Sequence, residues 1–341
     1  MTLRMTNSSN RQPEIKSCII VGGGITGLIA ATILQRQGIS VTVLDKGRGI
    51  GGRLATRRVK GEGSVEGVFD YGTQYFSAKN PLFQTWVDDW LEAGVIKEWS
   101  RGFGETDGKP RYCGIDGTRG IAKHLAENLD VRTSTKVVKI NYNKHWVVET
   151  DKDEQYRSEM LLLTPPVPQS LDLLDASLII LPLDERFALE NITYHRSISI
   201  LALLERPSDI PAPGGIALEN ENNESLAWLG DNHQKGISPN GYAVTLQSSS
   251  SFADYYWESD DAEIAYKMLT AGADYLNAPV TKYQVHRWRY SFPKTFHLQP
   301  FLAMSEIPLI MAGDGFVAPK IEGAALSGIA TGEFISKKFK R

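Results

Sequence analysis

One short run of residues limits the fold of this chain more than any other. The apolar stretch Ser17-Cys18-Ile19-Ile20-Val21 leads into Gly22-Gly23-Gly24-Ile25-Thr26-Gly27, and Val41-Thr42-Val43-Leu44 then ends in Asp45. Strand, glycine turn, helix, strand and acid in that order form a dinucleotide-binding βαβ unit. The pyrophosphate of an adenine dinucleotide needs unpaired backbone N–H groups and the positive end of a helix dipole, and side chains block that approach. Gly22 allows the tight turn, Gly24 lets backbone and phosphate meet, and Gly27 lets helix and strand pack closely. Ile25, Leu28, Ile29 and Ile33 recur at helical spacing, and Gly38 is a natural stop. Asp45 stands where a carboxylate accepts from both ribose hydroxyls and disfavours a 2′-phosphate, which selects FAD or NAD over NADP as the bound nucleotide.

The residues after Asp45 separate flavin from nicotinamide. Lys46-Gly47-Arg48-Gly49-Ile50-Gly51-Gly52-Arg53-Leu54-Ala55-Thr56-Arg57-Arg58 is glycine-rich and cationic, suited to folding back over a pyrophosphate. Arg53 is the expected phosphate contact because its planar fork matches oxyanions, with Arg57 beside it. Near the other end, Leu309-Ile310-Met311-Ala312 reads as a buried strand running into Gly313-Asp314-Gly315. A helix with a small-residue face follows from Glu322-Gly323-Ala324-Ala325 to Ala330. Its dipole suits negative charge at the edge of a reduced flavin, and Asp314 suits the ribityl or phosphate region. The candidate cofactor contacts are therefore Gly22, Gly24, Ile25, Thr26, Gly27, Asp45, Lys46, Gly52, Arg53, Arg57, Val137, Asp314, Gly315, Glu322, Gly323 and Ala324, around non-covalent FAD.

Composition narrows the class. The 341 residues are 42% hydrophobic and 23% charged, with a net charge of −3 and no sustained basic stripe, which argues against nucleic acid as a partner. The first sixteen residues carry no apolar run, so neither a secretory signal nor a membrane span is expected, and the chain reads as cytoplasmic. Cys18 in a strand and Cys113 in a loop make no disulfide framework. The six histidines are scattered, and no metal is expected.

The rest of the chain alternates in character. Phe83, Trp86, Val87, Trp90 and Leu91 share one helical face within 81–99. Strands at 137–140 and 145–150 form a meander, and Met160-Leu161-Leu162-Leu163-Thr164 returns to the first sheet before Pro165-Pro166 stops it. Strands at 197–204, 226–229 and 242–248, a turn at Asp231-Asn232 and a helix near 261–276 make an antiparallel sheet with flanking helices. The fold class is α/β: a two-dinucleotide-binding-domain flavoprotein with a Rossmann-like FAD domain and an inserted α+β substrate domain built on an antiparallel sheet. The FAD domain is expected over 14–76, 112–168 and 284–341, the substrate domain over 77–111 and 169–283, and a flexible segment over 1–13.

Several segments together resemble the renalase family of amine-oxidase-like flavoproteins. They are Gly22 to Gly27, Gly51-Gly52-Arg53, Asp70-Tyr71-Gly72-Thr73-Gln74-Tyr75, Thr164-Pro165-Pro166-Val167-Pro168-Gln169, Asp231-Asn232, His286-Arg287-Trp288-Arg289-Tyr290 and Gly313-Asp314-Gly315. They extend over nearly the whole chain. The resemblance implies oxidation of the 2-dihydro or 6-dihydro isomers of NAD(P)H to NAD(P)+, with electrons passing to O2 as hydrogen peroxide. The partners it implies are that small dinucleotide and O2. A pocket histidine of the animal members falls at Gln247, so the isomer preference does not carry over. In the strand around His286, side chains alternate, and Trp288 is placed to form an aromatic wall against the nicotinamide. Gln74, near the flavin ring, and Gln247, toward the carboxamide, complete the candidate reaction site. Two other functions share these motifs: a flavin oxidase or desaturase for amines, porphyrinogens or carotenoids, and a non-catalytic flavin-binding protein.

Overall fold

The computed structural model describes residues 16–103, 105–218 and 224–340; the flexible segment expected at 1–13 lies outside them. A six-stranded sheet runs in the order Phe301–Ala303, Leu309–Ala312, Met160–Leu163, Ser17–Val21, Ser40–Leu44, Asp130–Arg132. Neighbours are parallel except at the edge, where Phe301–Ala303 is antiparallel to Leu309–Ala312. The two central runs Met160–Leu163 and Leu309–Ala312 are buried at every residue, which is why they read as unbroken apolar stretches instead of alternating ones. Val21 lies opposite both Leu163 and Leu44, so three carboxyl ends open together at the glycine turn. In open α/β sheets, that edge is where ligands bind.

Helix Ile25–Arg36 leaves the turn and packs against the C-terminal helix Ile321–Lys340, which runs ten residues past the expected end at 330. Its small residues serve that packing: a Cβ on Gly328 would stand 2.5 Å from the Thr26 carbonyl oxygen. The helix expected over 81–99 ends at Glu92, because Gly94 adopts φ +67 and turns the chain into the strand Ile96–Phe103. That strand pairs with Glu105–Gly114, where Cys113 is a buried strand residue, not a loop residue.

The second large sheet is antiparallel throughout, in the order Gly215–Ala217, Leu226–Asp231, Tyr242–Ser248, Tyr194–Leu204, Val280–Pro293. One face is apolar. Ile198, Ile200, Val244 and Leu246 pack there against Phe252, Ile264 and Met268 of the covering helices Ser250–Tyr255 and Asp261–Ala271. The alternating positions Ser199, Gln247 and His286 stand on the other face, in one rung with Trp228. Val280–Pro293 pairs with Tyr194–Leu204 along its whole length. Residues 284–293, expected in the cofactor domain, therefore belong by pairing to the antiparallel sheet; alternation alone does not say which sheet a strand joins.

Candidate active site

Residues from both sheets line one cavity of about 2720 Å³. Drug-sized pockets hold about 300–1,000 Å³, so this one has room for a dinucleotide and a second large molecule. Gly22, Gly24, Ile25 and Thr26 line its floor. A Cβ on Gly24 would meet no atom within 4 Å, so open space lies at the N-terminus of Ile25–Arg36. Gly27 serves packing: a Cβ there would stand 2.2 Å from the Gly22 carbonyl oxygen. Thr26 Oγ1 donates to the Ala324 carbonyl at 2.8 Å and joins the two helices at the site.

Asp45 holds the surrounding loops in place. Its Oδ2 accepts from Gly23 N–H and its Oδ1 from Gly47 N–H, each at 2.6 Å. Further lone pairs on both oxygens are left for ribose hydroxyls. Lys46 Nζ donates to Gln169 Oε1 at 2.9 Å, and burial lowers its pKa. Gly52, Val137, Glu322, Gly323 and Ala324 also line the cavity. Glu322 accepts from the N–H groups of Lys79 and Asn80, at 2.6 and 2.7 Å, and so fixes the entry to helix Pro81–Glu92.

Arg53 and Asp314, expected separately on the cofactor, meet each other. Arg53 Nη1 lies 2.5 Å from Asp314 Oδ2 and 3.3 Å from the carbonyl oxygens of Tyr290 and Ser291. Tyr194 Oη donates to Asp314 Oδ1 at 3.3 Å, and burial, followed by the Asp314 charge, pushes the phenol pKa up. Gly315 lies beneath, where a Cβ would come 3.0 Å from Tyr194 Oη. Arg57 points elsewhere: Nη1 reaches Gln284 Oε1 at 3.1 Å, and the guanidinium stands 4.6 Å from the Tyr71 ring centre.

That ring begins an aromatic wall. Tyr71 and Trp288 stack with centroids 5.4 Å apart and planes 25° apart. His286 meets both edge-on, at 4.9 and 4.3 Å. The Tyr71 carbonyl accepts from Trp288 Nε1 at 2.9 Å and from Ser199 Oγ at 2.8 Å. Gln247 Nε2 donates to the Gly72 carbonyl at 2.7 Å, and buried Gln74 donates through Nε2 to the Asp70 carbonyl at 2.7 Å. Trp288, Gln74 and Gln247 thus come together around residues 70–72, with the two glutamines holding the backbone of that segment.

Residues 96–332 match the flavin containing amine oxidoreductase family, and residues 20–90 match the NAD(P)-binding Rossmann-like domain. The chain belongs to the flavin containing amine oxidoreductase family. It is an FAD-dependent oxidoreductase, renalase-like within that family. Renalase of Mus musculus is 24% identical over 341 residues, covering 92% of this chain and 96% of that protein. Lysine-specific histone demethylase 1 homolog 1 of Arabidopsis thaliana is 37% identical over 67 residues, which is 20% of this chain and 8% of that one. Among solved structures, a putative protoporphyrinogen oxidase from Exiguobacterium sp. 255-15 superposes with TM-score 0.70 at 13% identity, over 95% of this chain and 99% of that one. Wild-type putrescine oxidase bound to putrescine gives 0.69 at 15% identity, over 96% and 99%. These likenesses are likenesses of fold. No helix among the described residues is long and apolar enough to cross a membrane.

For a flavin oxidoreductase of this family, the open space at Gly24, the ribose-ready Asp45 and the size of the cavity fit FAD. In the sequence Tyr71 stands inside a motif with no role of its own, and Tyr194 stands in none. The signal for Tyr71 was its place between Asp70 and Gly72; Tyr194 carried none, since its partner Asp314 is 120 residues away.

The wall has a defined charge state. Burial first, and the Arg57 charge second, lower the His286 pKa from 6.5 to about 4. At neutral pH the imidazole is uncharged. Between pH 6.5 and about 4 the unfolded chain binds a proton here that the folded chain does not, so stability rises with pH across that window. Thermal melts are expected to fall in temperature from pH 6.5 to 4.5, and to fall less in His286→Gln. Equal slopes in both proteins would remove His286 as a cause.

Proposed function

We propose that this protein is an oxidase of dihydronicotinamide dinucleotide isomers: a 2-dihydro or 6-dihydro form of NAD(P)H, O2 and a proton yield NAD(P)+ and hydrogen peroxide. The observation that carries this reading is the uncharged aromatic wall of Tyr71, Trp288 and His286 with the Arg57 cation 4.6 Å from its Tyr71 face. A flat dihydropyridine matches the wall, and the anionic dinucleotide that carries it matches the cation. An ammonium substrate is opposed, because Arg57 already holds the cation–π position and like charges repel at that distance. The similarity to renalase over nearly the full length of both chains supports the same reading.

When bound, FAD supplies the hydride acceptor. The side chains need only orient the substrate, since the dihydropyridine ring nitrogen donates its lone pair toward the departing hydride and no side chain has to remove a proton. Trp288 is fixed for that task by its hydrogen bond to the Tyr71 carbonyl and by stacking on the Tyr71 ring. Ser199, Gln247 and Gln74 fix the same backbone segment from three directions. Asp45 would hold the cofactor ribose, and so places no restriction on NAD against NADP in the substrate.

Anaerobic stopped-flow of the flavin-loaded protein tests the proposal, with 2-dihydro-NAD(P), 6-dihydro-NAD(P), ordinary NADH and putrescine mixed separately. Fast bleaching by one unusual isomer is expected. Bleaching by putrescine alone, or by none of the four, overturns the reading. Trp288→Ala is expected to retain FAD and slow the bleaching by about 10²-fold, the cost typical of a misplaced reactant. An unchanged rate would take Trp288 out of the pocket.

A further inference from the structure

Two arginines of the loop expected to grip the phosphates reach other groups: Arg53 Nη1 faces Asp314, and Arg57 covers Tyr71. A different guanidinium enters the cradle from outside every glycine motif. Arg119 opens helix Arg119–Ala126 and lines the cavity, with its side chain laid across the loop after Asp45. A Cβ on Gly49 would fall 1.3 Å from Arg119 Nη2, so the guanidinium fills the space that any side chain at 49 would take. That loop is bound to the dinucleotide turn, since Gly51 N–H donates to the Gly23 carbonyl at 2.8 Å and Gly24 bridges Gly51. Arg119 therefore lies across a loop that is itself bound to the first turn.

Two features set this arginine apart. Its Nε is buried without a hydrogen-bond partner, the one cationic nitrogen so left among the described residues, and its side chain makes no ion pair or hydrogen bond there. Its backbone is pinned from behind. Asp70 Oδ1 accepts from Thr56 Oγ1 at 2.6 Å, from Thr118 N–H at 2.9 Å and from Thr118 Oγ1 at 3.1 Å, while Thr56 Oγ1 accepts from Arg119 N–H at 3.1 Å. A rigidly based, unpaired guanidinium beside a glycine turn is a preorganised donor for a diphosphate, which it can meet with two parallel N–H groups.

We infer that Arg119 is a phosphate ligand of the bound FAD, and that residue 49 is glycine to leave room for it. This assignment concerns the cofactor and holds whatever the substrate is.

The test uses the full chain stripped of flavin, with FAD and riboflavin as probes and flavin fluorescence as the readout of Kd. Arg119→Gln is expected to weaken FAD by about 10- to 100-fold, the loss of one or two charge-assisted hydrogen bonds. Riboflavin, which has no phosphate, is expected to bind as in the parent. Arg119→Lys should recover part of the loss. Gly49→Ala keeps the arginine but displaces it, so it should weaken FAD in the same direction and carries the test if Arg119→Gln does not fold. FAD held at parental affinity by both variants overturns the assignment. So does an equal loss of FAD and riboflavin, which would make Arg119 a packing residue.

Discussion

Lys235→Ala is expected to lower the thermal midpoint by about 5 °C, a large effect for one truncation in a chain of this length. The side chains of Lys235 and Asp70 are both 0% exposed, with Nζ 2.7 Å from Asp70 Oδ2. Removing the lysine leaves a carboxylate buried with no opposing charge, which costs about 3–5 kcal/mol. A chain of this size loses roughly 1–2 °C per kcal/mol. The same Nζ donates to the Gln74 carbonyl at 2.6 Å and lies 4.8 Å from the Trp99 ring centre, so the loss spreads into the segment that carries Tyr71. Asp70→Asn combined with Lys235→Met removes both charges and keeps the volume, and should recover much of the midpoint. A Lys235→Ala protein that melts within about 1 °C of its parent would show that the pair contributes little.

What was legible in the sequence was local. Gly22 to Gly27, Asp45 and the apolar runs at 17–21, 160–163 and 309–312 announce themselves because strand, turn and helix chemistry acts between near neighbours. The pairings that assemble the site are not local. Lys235 meets Asp70 across 165 positions, Arg53 meets Asp314 across 261, and each residue alone reads as an ordinary charge. The planar fork of Arg53 suggests a phosphate contact, but nothing near it in the chain announces the distant acid that takes its Nη1. Trp288 was legible as one face of an alternating strand, but its stacking partner Tyr71 comes from a loop more than 200 positions earlier. Alternation gives the face of a strand and says nothing of what stands opposite it. For the same reason the sequence leaves residues 284–293 with the cofactor domain, although their ladder partner is Tyr194–Leu204.

Gly24→Val and Gly27→Val are expected to fail in opposite ways, and the contrast separates cofactor contact from packing within one turn. At Gly24 the backbone is extended at φ −80 and a Cβ meets nothing within 4 Å, so the flavin-free chain should accept valine and melt near its parental temperature. The valine then stands in the open space at the helix N-terminus and holds a diphosphate away from the backbone N–H groups. Losing two charge-assisted hydrogen bonds of about 1.5–3 kcal/mol each raises the FAD Kd by at least about 10²-fold. At Gly27 a Cβ would stand 2.2 Å from the Gly22 carbonyl and 3.1 Å from Thr164 Oγ1, so valine there must push the helix off the sheet. Overpacking of that kind costs about 1–3 kcal/mol or more. Thermal melts of both flavin-free proteins, followed by FAD titration, decide the matter. A Gly24→Val protein that binds FAD normally would move the phosphates away from this turn, and Arg119 would then have to be reassigned with them.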